Sequence, residues 1–534
     1  MPETLASAGQ ETLHFSGLVP IAGRVAACRQ FLKDRMAELQ ARHEQGASGL
    51  DVAHGRAEAI DAVLRALFDY AVTAGNDRPD LPVVAVALAA LGGYGRGELS
   101  PWSDIDFMFL YPAKTRPAVL NPYSAFLAQE ILYVLWDCGL KVGYSTRTVD
   151  QVFVEARKDM LTKTALLEAR LVAGSAGLFD GWERAYRKFY EGESTKDYIT
   201  QRLEDQAQRR AKFADTIFNQ EPDVKSGVGG LRDFHSAMWM ARVRLGVSTV
   251  AALAEQNYVR PEEAAEFARA HDFLLRVRND LHFQSARATD ILSLDMQPRV
   301  AWDLGYRQED PLRRVERFMQ DYYGAAQAIF RTARLIERRL AADIGRDPLG
   351  GKLSLLESLR ASRFKRSHRL DGFIRRGAGE LAAESPSVFT DDPVRLIRVF
   401  RHAQQLDCGI SFGLAELIRA NAALAARVID RPEAAVAFRA ILGEAGAVYP
   451  ALSQMHELGV LGSYVPEFGA LNLLVQHELY HRYTADIHTL NAIRELDLVF
   501  TAADGITLKY RDAIHETEAP DLVYLTLLLH DIGK

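Results

Sequence analysis

The chain has 534 residues, more than one hydrophobic core can serve, so its length suggests about three or four domains. With 48% hydrophobic and 25% charged residues it has an ordinary globular composition, which excludes fibrous and disordered classes. A net charge of -6 argues against a nucleic-acid-coating surface, and three widely spaced cysteines (Cys28, Cys138, Cys408) argue against a disulfide framework or a cysteine zinc site.

The first residues include acids and no apolar signal core. The longest apolar runs, residues 81–91 and 522–529, fall short of the roughly 20 residues that a membrane helix needs. The chain therefore reads as cytoplasmic, with no membrane partner. Residues 20–75 place apolar side chains at helical spacing (Val25, Cys28, Phe31, Leu32, then Ile60, Val63, Leu64, Leu67), predicting two helices. Asn76-Asp77-Arg78-Pro79 breaks that pattern, and the valine- and alanine-rich run 82–91 predicts a buried strand. A glycine turn, a strand Ile105–Tyr111, a long helix over 123–138 and a strand around 141–148 complete an α/β unit.

From 180 to 345 the pattern is helical and charged, except at Gly227-Val228-Gly229-Gly230. Residues 346–352 read as a linker. Helices resume through about 460, with Gly/Pro breaks near 443–450 and 459–469, and 471–534 is again helical. The resulting division is an N-terminal helical region at 1–78, an α/β domain at 79–178, a helical domain at 179–345, a helical connecting region at 346–465 and a last helical domain at 466–534.

The chemistry is densest in residues 91–107, LGGYGRGELSPWSDIDF. Gly92 and Gly93 let the backbone bend sharply and approach a ligand without a Cβ in the way. A helix starting there would aim free N–H groups and its positive end at a triphosphate. Asp104 and Asp106 are two apart on a strand, so both side chains leave one face with Cα atoms roughly 6.6 Å apart. Carboxylates so spaced can share Mg2+, an oxygen-seeking ion that keeps waters and phosphates as its other ligands.

These residues resemble the nucleotidyltransferase superfamily. The fuller run GGYGRGELSPWSDIDFMFLY is similar to the bifunctional uridylyltransferase/uridylyl-removing enzymes of bacterial nitrogen control. The resemblance continues in order at 139–147 (GLKVGYSTR), 166–170 (LLEAR), 221–233 (EPDVKSGVGGLRD), 317–322 (RFMQDY) and 480–488 (YHRYTADIH). It implies an α+β, mostly helical fold: a polymerase-beta-like nucleotidyltransferase α/β domain, helical domains and an incomplete all-α HD domain.

It also implies transfer of UMP from UTP to a tyrosine of the PII signalling protein. Asp104 and Asp106 would be catalytic and hold Mg2+, with Gly92, Gly93, Arg96, Ser103 and Lys225 at the nucleotide. Glu168, in an apolar strand-like run before residue 171, is the candidate third carboxylate; a buried ion pair with Arg170 is its alternative. The glycine cluster 227–230, flanked by Lys225, Arg232 and Asp233, suits either a loop near the phosphates or a tight turn opening a helix at Leu231, with Asp233 as a first-turn acid.

A second constellation lies near the end. His477, His481 and His488 share one helix face, and His530-Asp531 closes an apolar helix. His477 and His481 read as structural. His488 with His530 and Asp531 resembles the HD phosphohydrolase metal set, for which Mg2+ or Mn2+ would serve. In that superfamily a further aspartate lies well downstream, and the related enzymes carry glutamine-sensing ACT domains. Both fall beyond Lys534, so the expectation is a truncated HD segment with weak or no hydrolase activity. Two alternatives differ in class. An RNA-end (tRNA) nucleotidyltransferase with an HD domain is disfavoured by the acidic balance. A catalytically impaired PII-binding fragment is disfavoured by intact Gly92, Gly93, Asp104 and Asp106.

Overall fold

The computed structural model describes residues 13–213, 216–345, 369–376, 379–472, 474, 484–501, 509–512, 514 and 519–532. The chain divides into two compact units, one of Met1–Ile217 with Glu221–Pro348 and one of Phe218–Gln220 with Leu349–Lys534. Phe218–Gln220, inside the third region read from the sequence, groups with the second unit. The division falls in the stretch read as a linker, although 346–352 lies outside the described residues. The fold is α+β and mostly helical. Among the described residues, no helix is long and apolar enough to cross a membrane.

The first unit opens with the two expected helices, α1 (Ile21–Glu44) and α2 (Gly49–Asn76). Ser48 caps α2 by accepting the Asp51 N–H at 3.0 Å. Next come β1 (Ala87–Ala90), the single-turn α3 (Gly92–Gly95), β2 (Ile105–Tyr111), α4 (Pro117–Asp137) and β3 (Val142–Thr148). Then follow α5 (Val149–Lys158), α6 (Met160–Leu167), β4 (Arg170–Gly174) and α7 (Ala176–Lys188). β1 is shorter than the run 82–91 suggests. Its pairing with β2 begins only at Ala87, opposite Leu110, and Val83 is left 78% exposed.

The four strands form one mixed sheet in the order β3-β2-β1-β4, with β2 and β3 parallel and the other pairs antiparallel. Every β2 side chain except Asp106 is buried. Phe107, Phe109 and Leu88 pack with Ile60, Leu64 and Leu67 of α2 and with Leu127, Ile131 and Leu135 of α4. Each such side chain contributes roughly 1.5–3 kcal/mol by leaving water. The sheet is therefore a rigid base, and the exposed position on β2 is a carboxylate.

The helical part of this unit comprises α8 (Glu193–Lys212), α9 (Leu231–Leu245), α10 (Val250–Glu255), α11 (Pro261–Ser285), α12 (Gln297–Asp303) and α13 (Pro311–Asp343). Asp310 caps α13 by accepting the Leu312 N–H at 3.0 Å, and Phe318, Met319, Tyr322, Ile329 and Ile336 lie on its buried face. The second unit corrects the reading of helices throughout 346–465. A small sheet runs β5 (Arg369–Leu370), β6 (Phe373–Arg376), β7 (Glu380–Ala383), β8 (Gly409–Ile410), in that order. Phe373 and Leu381 of this sheet share a core with Phe389, Phe400 and Ile441 of the helices around it.

Candidate active site

Asp104 immediately precedes β2 and Asp106 is its second residue; both are exposed. The glycine turn is bonded to the same strand, because Leu91 N–H donates to the Asp106 carbonyl at 2.8 Å. Gly92 takes φ +54°, a conformation that favours glycine, and the turn closes when Gly95 and Arg96 N–H donate to Leu91 and Gly92 carbonyls at 2.9 and 3.0 Å. Protein crowding, and then the charge of Asp104, raise the Asp106 carboxyl above its ordinary value, while Lys225 pulls it down. Ser103 Oγ is buried and has no hydrogen-bond partner among the described residues. Two crowded carboxylates and an unpartnered hydroxyl form a donor set that suits an oxygen-seeking cation and its phosphate ligand.

Gly143 is missed by the sequence reading. It sits opposite Asp106 in the β2–β3 register, and a Cβ there would run into Asp106 Oδ1. A glycine inside a strand is the one signal that could have found it. Gly143→Ala should leave the melting temperature close to wild type, because a carboxylate can rotate aside, yet lower any catalysis that rests on Asp106 by about a hundredfold through its misplacement. Unchanged kcat in that variant would show that the Asp106 position is not critical.

Lys225 reaches this site from the helical part. Asp223 Oδ1 accepts the Lys225 and Ser226 N–H groups at 2.9 and 2.6 Å, and Val224 N–H donates to the Asp290 carbonyl at 2.7 Å. Lys225 Nζ lies 3.8 Å from Asp290 Oδ2. Burial, then Arg278 and Arg232, lower the Lys225 pKa. Asp290 also accepts from Arg278 Nε at 2.7 Å. Although burial opposes it, His282, Arg278 and Lys225 hold the Asp290 carboxyl below the usual range.

Of the two readings of the glycine cluster, the structure has the tight turn. The turn opens α9 with Asp233 in its first turn, and the loop carries Lys225 toward Asp106. Gly229 has φ +72°, and a Cβ there would meet the Ala326 carbonyl of α13. Asp233 is fully buried. It accepts from Gly229 N–H at 2.7 Å and from Gln206 Nε2 at 3.0 Å, and it pairs with Arg209 and Arg210.

Arg96 and Glu168 are brought to each other behind the glycine turn. Arg96 pairs with Glu98 at 2.9 Å and with Glu168, which also accepts the Trp239 indole N–H. Glu168 ends α6 instead of lying on a strand, and its main-chain oxygen packs so tightly on Gly95 that a Cβ there would collide. Arg170, the alternative partner of Glu168, instead grips Asp61 at 2.7 and 2.9 Å, where Tyr94 Oη also donates at 2.6 Å.

Glu98, His235 and His271 place one ligand atom each within 4.8 Å of the others. Burial and then Arg96 depress the His235 pKa; burial dominates at His271, where Arg96 also lowers it against the opposing pull of Glu98. Glu98 is already ion-paired to Arg96 at 2.9 Å, which ties this cluster to the glycine turn.

In the second unit, His488 lies on the helix Ala485–Thr501, and His530 and Asp531 follow the helix Pro520–Leu529. Their ligand atoms come within 4.8 Å of one another. His530 Nδ1 lies 2.6 Å from the Leu527 carbonyl, which can only accept, so Nδ1 carries a proton; in the neutral ring Nε2, 3.3 Å from Asp531 Oδ2, is then the nitrogen left for a metal. That tautomer fits a metal ligand. His477 and His481 lie outside the described residues.

Comparison with known proteins gives matches in both units. The family model described as GlnD PII-uridylyltransferase matches residues 197–336, and that of the uridylyltransferase GlnD third domain matches 373–464. Similar proteins include the bifunctional uridylyltransferase/uridylyl-removing enzymes of Azospirillum brasilense (34% identical over 96% of this chain and 54% of the relative) and Rhodospirillum rubrum (33%, 96% and 53%). That of Caulobacter vibrioides is 32% identical over 92% of this chain and 52% of its own length. The chain thus spans about half the length of the curated relatives it matches. On these matches, carried by both units, the chain belongs to the GlnD uridylyltransferase family.

Proposed function

We propose that the first unit transfers UMP from UTP to a tyrosine hydroxyl of a PII signalling protein and releases pyrophosphate. The observation that carries this reading is the exposed pair Asp104 and Asp106 at the start of β2, with the glycine turn bonded to the same strand and Lys225 within electrostatic reach. Asp104 and Asp106 would hold Mg2+. The bound ion would neutralise charge on the triphosphate and leaving group. The turn at Gly92 and Gly93 gives the nucleotide close access to backbone, Ser103 offers a hydroxyl, and Lys225 supplies a cation to the phosphates. Arg96 acts from behind by holding the turn.

The test is incubation with labelled UTP, Mg2+ and either a PII protein or tRNA. One uridylyl group on a PII tyrosine, located by mass spectrometry, is expected. Transfer of AMP or CMP to the RNA end would replace this reading with that of an RNA-end enzyme.

His488, His530 and Asp531 are proposed to hold a divalent cation for removal of the uridylyl group. Their convergence and the His530 tautomer support this. The expected result is two Mn2+ sites, of which the one held by His488, His530 and Asp531 survives Asp106→Asn and is lost in His530→Ala. Equal binding in wild type and His530→Ala would remove the metal from that site.

A further inference from the structure

We infer that His282 is a positioning residue for the carboxylate loop: its Nδ1 holds the Trp102 N–H, two residues ahead of Asp104, while its other face meets Asp290 beside Lys225. The inference rests on the proposed transfer site and extends it into the helical part of the same unit. Trp102 N–H donates to His282 Nδ1 at 3.1 Å across 180 residues of sequence. A backbone N–H can only donate, so Nδ1 is the acceptor and the ring proton sits on Nε2. That nitrogen is buried with no hydrogen-bond partner among the described residues and faces Asp290 Oδ1 at 3.7 Å, beyond a hydrogen bond but near enough for its N–H dipole to favour the carboxylate charge. The His282 side chain is fully buried.

The loop between the glycine turn and β2 is held at several points. Arg278 donates to Ser100 Oγ at 3.2 Å, Ser103 N–H to the Ser100 carbonyl at 3.0 Å, and Ile105 N–H to the Lys141 carbonyl at 2.9 Å. Arg278 and His282 are four apart on α11 and so share one helix face. Both reach the loop and both face Asp290, the carboxylate that Lys225 also approaches. One face of α11 thereby sets the distance between the loop bearing Asp104 and the loop bearing Lys225. His282 itself touches neither nucleotide nor acceptor.

Two substitutions separate the two faces of the ring. His282→Asn keeps an acceptor near the Nδ1 position, while His282→Gln moves its polar atoms out toward Asp290 and leaves the Trp102 N–H without one. The full chain is assayed for UMP transfer and for amide exchange of the peptide containing Trp102. Mn2+ binding is followed by electron paramagnetic resonance in a His530→Ala background, so that only the first site is read. In His282→Gln, kcat should fall by about a hundredfold through misplacement of the loop. Mn2+ binding at the first site should weaken, and the Trp102 amide should exchange faster. His282→Asn should restore all three toward wild type.

Equal losses in the two variants, accompanied by equal falls in melting temperature, would reduce His282 to a packing residue. Wild-type kcat, Mn2+ binding and exchange in His282→Gln would also overturn the inference. Asp106→Asn run in parallel separates the two levels. If Asp106→Asn transfers UMP normally, the site itself is wrong; if it is dead while His282→Gln is normal, only the role of His282 fails.

Discussion

Asp106→Asn should abolish UMP transfer while the chain stays folded, and Asp104→Asn should do the same. Losing one metal-holding carboxylate removes on the order of several kcal/mol of transition-state stabilisation, about a thousandfold or more in rate. The expected stability effect has the opposite sign. The Asp106 carboxyl is raised in the folded chain, first by crowding and then by Asp104. The folded state therefore favours its protonated form, and stability is lost as pH rises from the ordinary carboxylate value through the raised one. Asparagine removes that cost at neutral pH, so the variant should melt at the wild-type temperature or slightly above. Cation binding needs the ionised carboxylate and should weaken in the wild type as pH falls through the same raised value. Steady-state transfer assays and thermal melts check both halves. Near-normal turnover with Mg2+ would take Asp106 out of the catalytic role.

Asp233→Ala should cause the largest loss of stability of any substitution considered for the first unit. The side chain is fully buried and accepts from Gly229 N–H, Gln206, Arg209 and Arg210. Arg210 keeps a second carboxylate in Glu337 at 2.6 Å. Arg209 is left with neutral acceptors, the carbonyl oxygens of Ser226 and Gly227 and the Gln206 amide oxygen. Removing one partner of a buried ion pair costs about 3–5 kcal/mol, because the remaining charge stays desolvated. The loop from Lys225 to Gly230 would loosen with it, so transfer should fall as well. Urea unfolding measures the first effect and a transfer assay the second. A loss below about 1 kcal/mol, typical of an exposed pair, would show that water already reaches this cluster.

Several features are legible in the sequence because they are local. Alternation on a strand places Asp104 and Asp106 together whatever surrounds them, and Gly92-Gly93 announces a turn without reference to any partner. The helices α1 and α2 are legible from apolar spacing, since each buries one face. The family resemblance points to His488, His530 and Asp531, which the fold brings within 4.8 Å from two separate helices.

The rest is decided by packing. Strands of two to four residues, such as β5 to β8, are too short to show a period of two, so that sheet reads as helix. Glu168 looks like a strand residue beside Arg170 because its neighbours are apolar; in the fold it ends α6 and its charge goes to Arg96. Nothing in residues 278–290 indicates that Arg278, His282 and Asp290 support a loop far earlier in the chain. The sequence by itself determined which residues could do chemistry, because spacing along one strand or turn is set by covalent geometry. The tertiary structure decided which of them face the ligand and which brace it, because a buried charge takes whichever partner the packed helices bring within reach.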